Sequence, residues 1–176
     1  MSTAFPAWQR SAVHQRRPRS GCIPTGYEMI LRSVGAQGID LSTFQDDFDL
    51  DQRLRAGGTP RNNFESVAAE VRKKYPSVCF RREGFDKTKG DEKLKFVEER
   101  LAKKQPVLVS IANEPFGGNG WHIMPVVDAT EDKLILLKHV DANGTPETCE
   151  LPKAEFVRIH NQYNGGDDVA YLKKWQ

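Results

Sequence analysis

Residues 106–140 read PVLVSIANEPFGGNGWHIMPVVDATEDKLILLKHV, and this stretch decides the fold class. Its first seven residues, PVLVSIA, form a short apolar run of β-branched character, too brief for a buried helix and right for a buried strand. Residues 121–128 and 133–140 read as two further strands. They are joined at Ala129-Thr130-Glu131-Asp132, which predicts an antiparallel hairpin centred on Thr130-Glu131. Gly117-Gly118-Asn119-Gly120 is a loop before the first of them.

Upstream the period changes to that of helices. Ile23, Tyr27, Ile30, Leu31 and Val34 make one apolar face, with Ser20 as a candidate cap, Pro24 in the first turn, and Gly35 and Gly38 as stops. Ser42 is placed to cap a shorter helix carrying Phe44 and Phe48. A helix is predicted over 62–74, with Phe64, Val67, Ala68 and Val71 inward. A strand is predicted over 78–83, and a long helix over 91–104 with Leu94, Val97 and Leu101 inward. A helix over 152–161 and a strand over 168–174 close the chain. Helices first and strands later argue α+β with an antiparallel sheet rather than alternating βαβ units. The expected organisation is one domain over 1–176, with a helical lobe over about 20–105, a sheet lobe over about 106–176 and a cleft between them. Residues 1–20 read as an irregular arm with a basic cluster, Arg16, Arg17 and Arg19, exposed to solvent.

The chain has 176 residues with 26 basic and 24 acidic side chains, a net charge of +2. That balance does not suggest a nucleic-acid or polybasic membrane binder, and no apolar run reaches the length of a membrane span. No charged start with an apolar stretch marks a secretory signal, so the expected location is the cytoplasm, with export by a route lacking a cleaved signal as the alternative. The three cysteines, Cys22, Cys79 and Cys149, are widely spaced and make no CxxC, so neither a zinc knuckle nor a disulfide framework is expected. The run Asp46, Asp47, Asp49, Asp51 fails as a calcium loop. Counted from Asp47, the sixth and twelfth positions hold Gln52 and Gly58, where glycine and glutamate are needed.

Three residues could carry chemistry. Cys22 opens the amphipathic helix after Gly21, where unpaired N–H groups and the helix dipole favour a thiolate. His122 follows the glycine-rich loop at the mouth of a strand. Asp141 ends the paired strand, and with the hairpin centred as above it lies two residues beyond the position opposite His122, within reach to orient the ring. Asn143 is the fallback for that role. Each has an ordinary structural alternative: a packed cysteine, a satisfied histidine, and a turn former in Asp-Ala-Asn-Gly. His14, His139, His160, Cys79 and Cys149 read as structural.

The order Cys, His, Asp carries a resemblance. SGCIPTGYEMIL at 20–31 resembles the nucleophile helix of papain-fold cysteine peptidases of the bacteriocin-processing (C39-like) branch. GNGWHIMPVV at 118–127 resembles that branch's glycine-then-histidine strand, and residues 134–141 its following strand, which ends in the orienting aspartate. The resemblance covers roughly residues 9–145. It implies a papain-like fold with a helical N-terminal lobe packed on an antiparallel β-sheet. It further implies a cysteine peptidase that cleaves a peptide bond through a thioester, with Cys22 as nucleophile, His122 as base and then acid, and Asp141 as orienter. The family places an oxyanion-hole glutamine six residues before the cysteine. Here Arg16 holds that position and Gln15 stands one place earlier; with a one-residue insertion in the loop, Gln15 is the implied oxyanion-hole donor beside the Cys22 N–H. No metal or organic cofactor is implied, and the implied partner is a peptide or protein substrate. Glutamine deamidation or transamidation by the same triad, an inactive papain-like binding domain, and a plain interaction protein are the alternatives.

Overall fold

Six strands form one sheet in the order β1-β6-β2-β3-β4-β5. They are Val78–Gly84 (β1), Val107–Ala112 (β2), Trp121–Ala129 (β3), Lys133–Val140 (β4), Pro146–Pro152 (β5) and Asp168–Trp175 (β6). Every pairing is antiparallel. The computed structural model describes residues 4–17, 21–48, 64–114, 117, 118, 120–163 and 166–175. Six helices lie among them: Trp8–Ser11 (α1), Cys22–Ser33 (α2), Phe44–Asp47 (α3), Phe64–Lys74 (α4), Gly90–Ala102 (α5) and Lys153–Gln162 (α6). None is long and apolar enough to cross a membrane.

All six residues of β2 are buried, as its unbroken apolar run requires of a central strand covered on both faces. One face carries Leu108, Ile123, Val127, Leu137 and Ala170 against α2, α3 and α4. The other carries Val109, Met124, Val126, Leu136 and Val169 against α5 and α6. The helical and strand-rich halves of the chain therefore interleave. β1, from the first half, pairs with β6, and α5 packs beside α6 across the sheet from α2. Tyr27 ties three of these elements together: its hydroxyl donates to Phe64 O at 2.8 Å and its ring stacks on Phe80 with centroids 3.9 Å apart.

Local signals explain the boundaries of α2. Its last turn closes as a Schellman motif, with Ala36 N–H donating to Leu31 O and Gly35 N–H to Arg32 O, and Gly35 adopts φ 66°. Ser20 lies outside the described residues. The cap of α3 is Thr43, not Ser42, whose hydroxyl turns instead to Asp40.

Three expectations change. Residues 4–17 are not a free arm: Phe5 is buried, its N–H donates to Val127 O at 2.6 Å, and α1 packs on α2. Phe5 and Trp8 supply the apolar anchors for this. In α5 the fully buried residue beside Val97 and Leu101 is Lys93, while Leu94 is half-buried. Lys93 Nζ donates to Ser110 O at 2.8 Å and Gly166 O at 2.6 Å, bridging β2 to the approach to β6, and burial lowers its pKa to about 7. The β3–β4 hairpin turns on Glu131-Asp132, with Thr130 N–H donating to Lys133 O. Val126 then faces Leu136 and Asp128 faces Ile135, one and two residues out of the predicted register, with a bulge between them.

Candidate active site

Cys22 is the first residue of α2, with Gly21 at the cap position. Its side chain is half-buried at a cleft of about 60 Å³, room for a few waters or one extended side chain. Gln15, His122, Ile123 and His139 line the same cleft. The nearby backbone N–H groups of Ile123, Ile23 and Cys22 itself act to lower the pKa of the sulfur, but burial outweighs them and pushes the thiol above its ordinary value. Burial therefore works against the thiolate that the helix N-terminus favours.

His122, near the mouth of β3, is half-buried, and burial lowers its pKa. Its ring makes no hydrogen bond to a described residue. Burial thus favours the uncharged form of both the thiol and the imidazole.

Gln15 reaches the cleft and Arg16 does not. The Arg16 side chain is exposed, donating to Ser42 O at 3.1 Å and lying 3.6 Å from Asp46. Gln15 Nε2 donates to Arg17 O at 2.7 Å, which uses one of its two hydrogens. The same carbonyl accepts the Gly21 N–H at 3.0 Å, so Gln15 and the start of α2 meet at one acceptor. A Cβ at Gly21 would lie 2.4 Å from that carbonyl oxygen, a backbone atom that cannot move aside cheaply. Gly21→Ala is expected to cost about 1–3 kcal/mol of stability, with slower alkylation of Cys22, read by a thermal melt and peptide mapping after iodoacetamide. An unchanged melt would count against the close approach.

Asp141 sits in the β4–β5 turn. Its Oδ1 accepts the N–H groups of Asn143 at 2.9 Å and Thr145 at 2.8 Å, and its own N–H donates to Thr145 O. No contact with His122 is seen, and the shifted hairpin register removes the same-face argument that paired them. His139, read from sequence as structural, lines the cleft with its side chain exposed. Its ring stands edge-on to His14, 6.3 Å away, and His14 Nδ1 is 2.7 Å from Val140 O. His160, on α6, is buried with Nε2 2.7 Å from Asp86 O and does not line this cleft. Cys79 and Cys149 are half-buried, free and elsewhere. Asp46 and Asp47 of the acidic run pair with Arg17 and Lys74. Asp49, Asp51, Gln52 and Gly58 lie outside the described residues.

No family model and no curated protein matches the sequence. The fold is similar to that of a Bacillus anthracis protein provisionally named a C39-like peptidase. Its crystal structure superposes with a TM-score of 0.59 over 100% of both chains at 14% identity. At that identity the likeness shows the fold, and activity has to be argued from the site.

Proposed function

We propose that the chain is a cysteine peptidase acting on a peptide or protein substrate through a thioester. The observation that carries this is the meeting of Cys22, His122 and Gln15 at one cleft, with the thiol at a helix N-terminus on the C39-like peptidase fold. In the first step His122 takes the Sγ–H proton as the sulfur bonds to the scissile carbonyl carbon. The oxyanion is held by the Cys22 N–H and the free hydrogen of Gln15 Nε2. The C–N bond then breaks, and the imidazolium gives its proton to the leaving amine. Water, deprotonated by His122, attacks the thioester, releasing the acid and restoring the thiol. Asp141 enters this proposal as an orienter of the imidazole through Oδ2, the oxygen its turn does not use. Gln15 at the cleft supports an active site over an inactive binding domain.

A neutral resting pair has a pH signature. The raised Cys22 pKa keeps its thiolate fraction below that of an ordinary cysteine, so alkylation by iodoacetamide is expected to keep rising through and beyond pH ~8.5. The lowered His122 pKa keeps the base available down to below pH ~6.5, so the acidic limb of turnover lies under that value. A rate of Cys22 alkylation already level between pH ~5 and ~7 would instead report a preformed ion pair, with a thiolate far below the ordinary cysteine value.

A further inference from the structure

Gln45 is buried at 2% exposure on α3, a helix of four residues, and every polar atom of its amide is used. Its Oε1 accepts the Arg16 N–H at 2.9 Å. Its Nε2 donates to His14 O and to Glu28 Oε2, both at 3.0 Å. These partners fix which end of the amide is nitrogen, since a carboxylate and a carbonyl need donors and an N–H needs an acceptor. The two backbone contacts fall on the residues immediately before and after Gln15. Glu28 is itself 2% exposed, lies on the nucleophile helix, and is held by Arg32 Nε at 2.8 Å. The Thr25 hydroxyl, also on α2, lies 3.0 Å from Gln45 Oε1. One side chain thus spans from the helix that starts at the thiol to both sides of the glutamine facing it.

We infer that Gln45 is a positioning residue for the oxyanion site, setting Gln15 against Cys22 by clamping the peptide groups on either side of it. This deepens the thiol acyl-transfer reading and rests on it. Burial alone requires the amide to be satisfied; what ties it to the site is the choice of partners, since Phe44 and Phe48, both buried, dock α3 while the amide holds the two peptide groups that flank Gln15. What the amide adds is a fixed distance between the 14–16 segment and α2, and misplacing a catalytic group by about 1 Å can cost about a hundredfold in rate.

The test uses two reagents that differ in whether an oxyanion forms. p-Nitrophenyl acetate acylates Cys22 through a tetrahedral oxyanion: the S–C bond forms, the ester C–O bond breaks, nitrophenolate leaves and the thiol proton passes to His122. Iodoacetamide alkylates the same sulfur by direct displacement of iodide, with no oxyanion. For Gln45→Met, which keeps the side chain's length, the ratio of acylation to alkylation rate at Cys22 is expected to fall about ten- to hundredfold. Gln15→Ala should lower the ratio at least as far. Combining the two should add little to Gln15→Ala alone, because both act on one donor. If Gln45→Met does not fold by thermal melt, Gln45→Glu carries the test. It retains the acceptor for Arg16 N–H and loses the paired donors, and the same direction of change is expected. Both rates falling equally, no change in the ratio, or full additivity with Gln15→Ala would overturn the positioning role. A wild-type chain that is never acylated at Cys22 would instead overturn the thiol reading, and the inference with it.

Discussion

Cys22→Ala is expected to abolish acyl transfer, a loss of about 10⁶-fold if Cys22 behaves as nucleophiles of comparable triads do. The size follows from the mechanism: without the sulfur there is no thioester, and the remaining N–H groups and Gln15 can only stabilise attack by water. The fold should hardly notice. The side chain is half-buried, packed on the edge of the core where it opens to the cleft, so the cost in stability should be about 1 kcal/mol. The measurement is the burst of nitrophenolate from p-nitrophenyl acetate beside a thermal melt. Retention of the burst with an unchanged melt would remove Cys22 from the chemistry.

His122→Ala is expected to lower acylation about 10²- to 10⁴-fold, the usual contribution of a positioned general base. Added imidazole should restore part of the rate, which a purely structural histidine would not allow. His139→Ala is the necessary partner experiment, because the structure puts that second imidazole at the same cleft. A larger loss from His139→Ala than from His122→Ala would transfer the base role to His139. Asp141→Ala completes the set. Its two turn N–H groups lose their acceptor, so a stability loss of about 1 kcal/mol is expected whatever its role in catalysis. Acylation lowered tenfold or more beyond that assigns it the ring as well, and unchanged acylation confines it to the turn.

How much of this was readable from residues alone varies by element. The buried run at 107–112 was legible because it is short and apolar between Pro106 and Asn113-Glu114-Pro115, and the helix over Cys22–Ser33 because its apolar period is unbroken and Gly35 stops it. The place of β1 was not. A strand's own residues say that it is extended, not that it will pair with a strand beginning at Asp168. The hairpin register failed because Thr130-Glu131 and Glu131-Asp132 make equally good turn centres, and a shift of one changes every facing pair. Arg16 and Gln15 could not be ranked by spacing, since the choice is made by Ser42 O and Asp46, which draw Arg16 outward. Gln45 gave no signal at all. A glutamine in a short polar helix is unremarkable until the segment it clamps is folded beside it. His139 reads as structural in sequence because its place at the cleft depends on that same tertiary arrangement.

The central claim is that Cys22 is an acylated nucleophile. Its most direct test is to mix the full chain with p-nitrophenyl acetate at neutral pH, quench in acid during the burst, and locate the acetyl group by peptide mass mapping. The account predicts one acetyl per chain, on Cys22, absent from Cys22→Ala and much reduced in His122→Ala. Acetyl found on Cys79 or Cys149 instead, or a Cys22 peptide that stays unmodified while nitrophenolate is released, would contradict it.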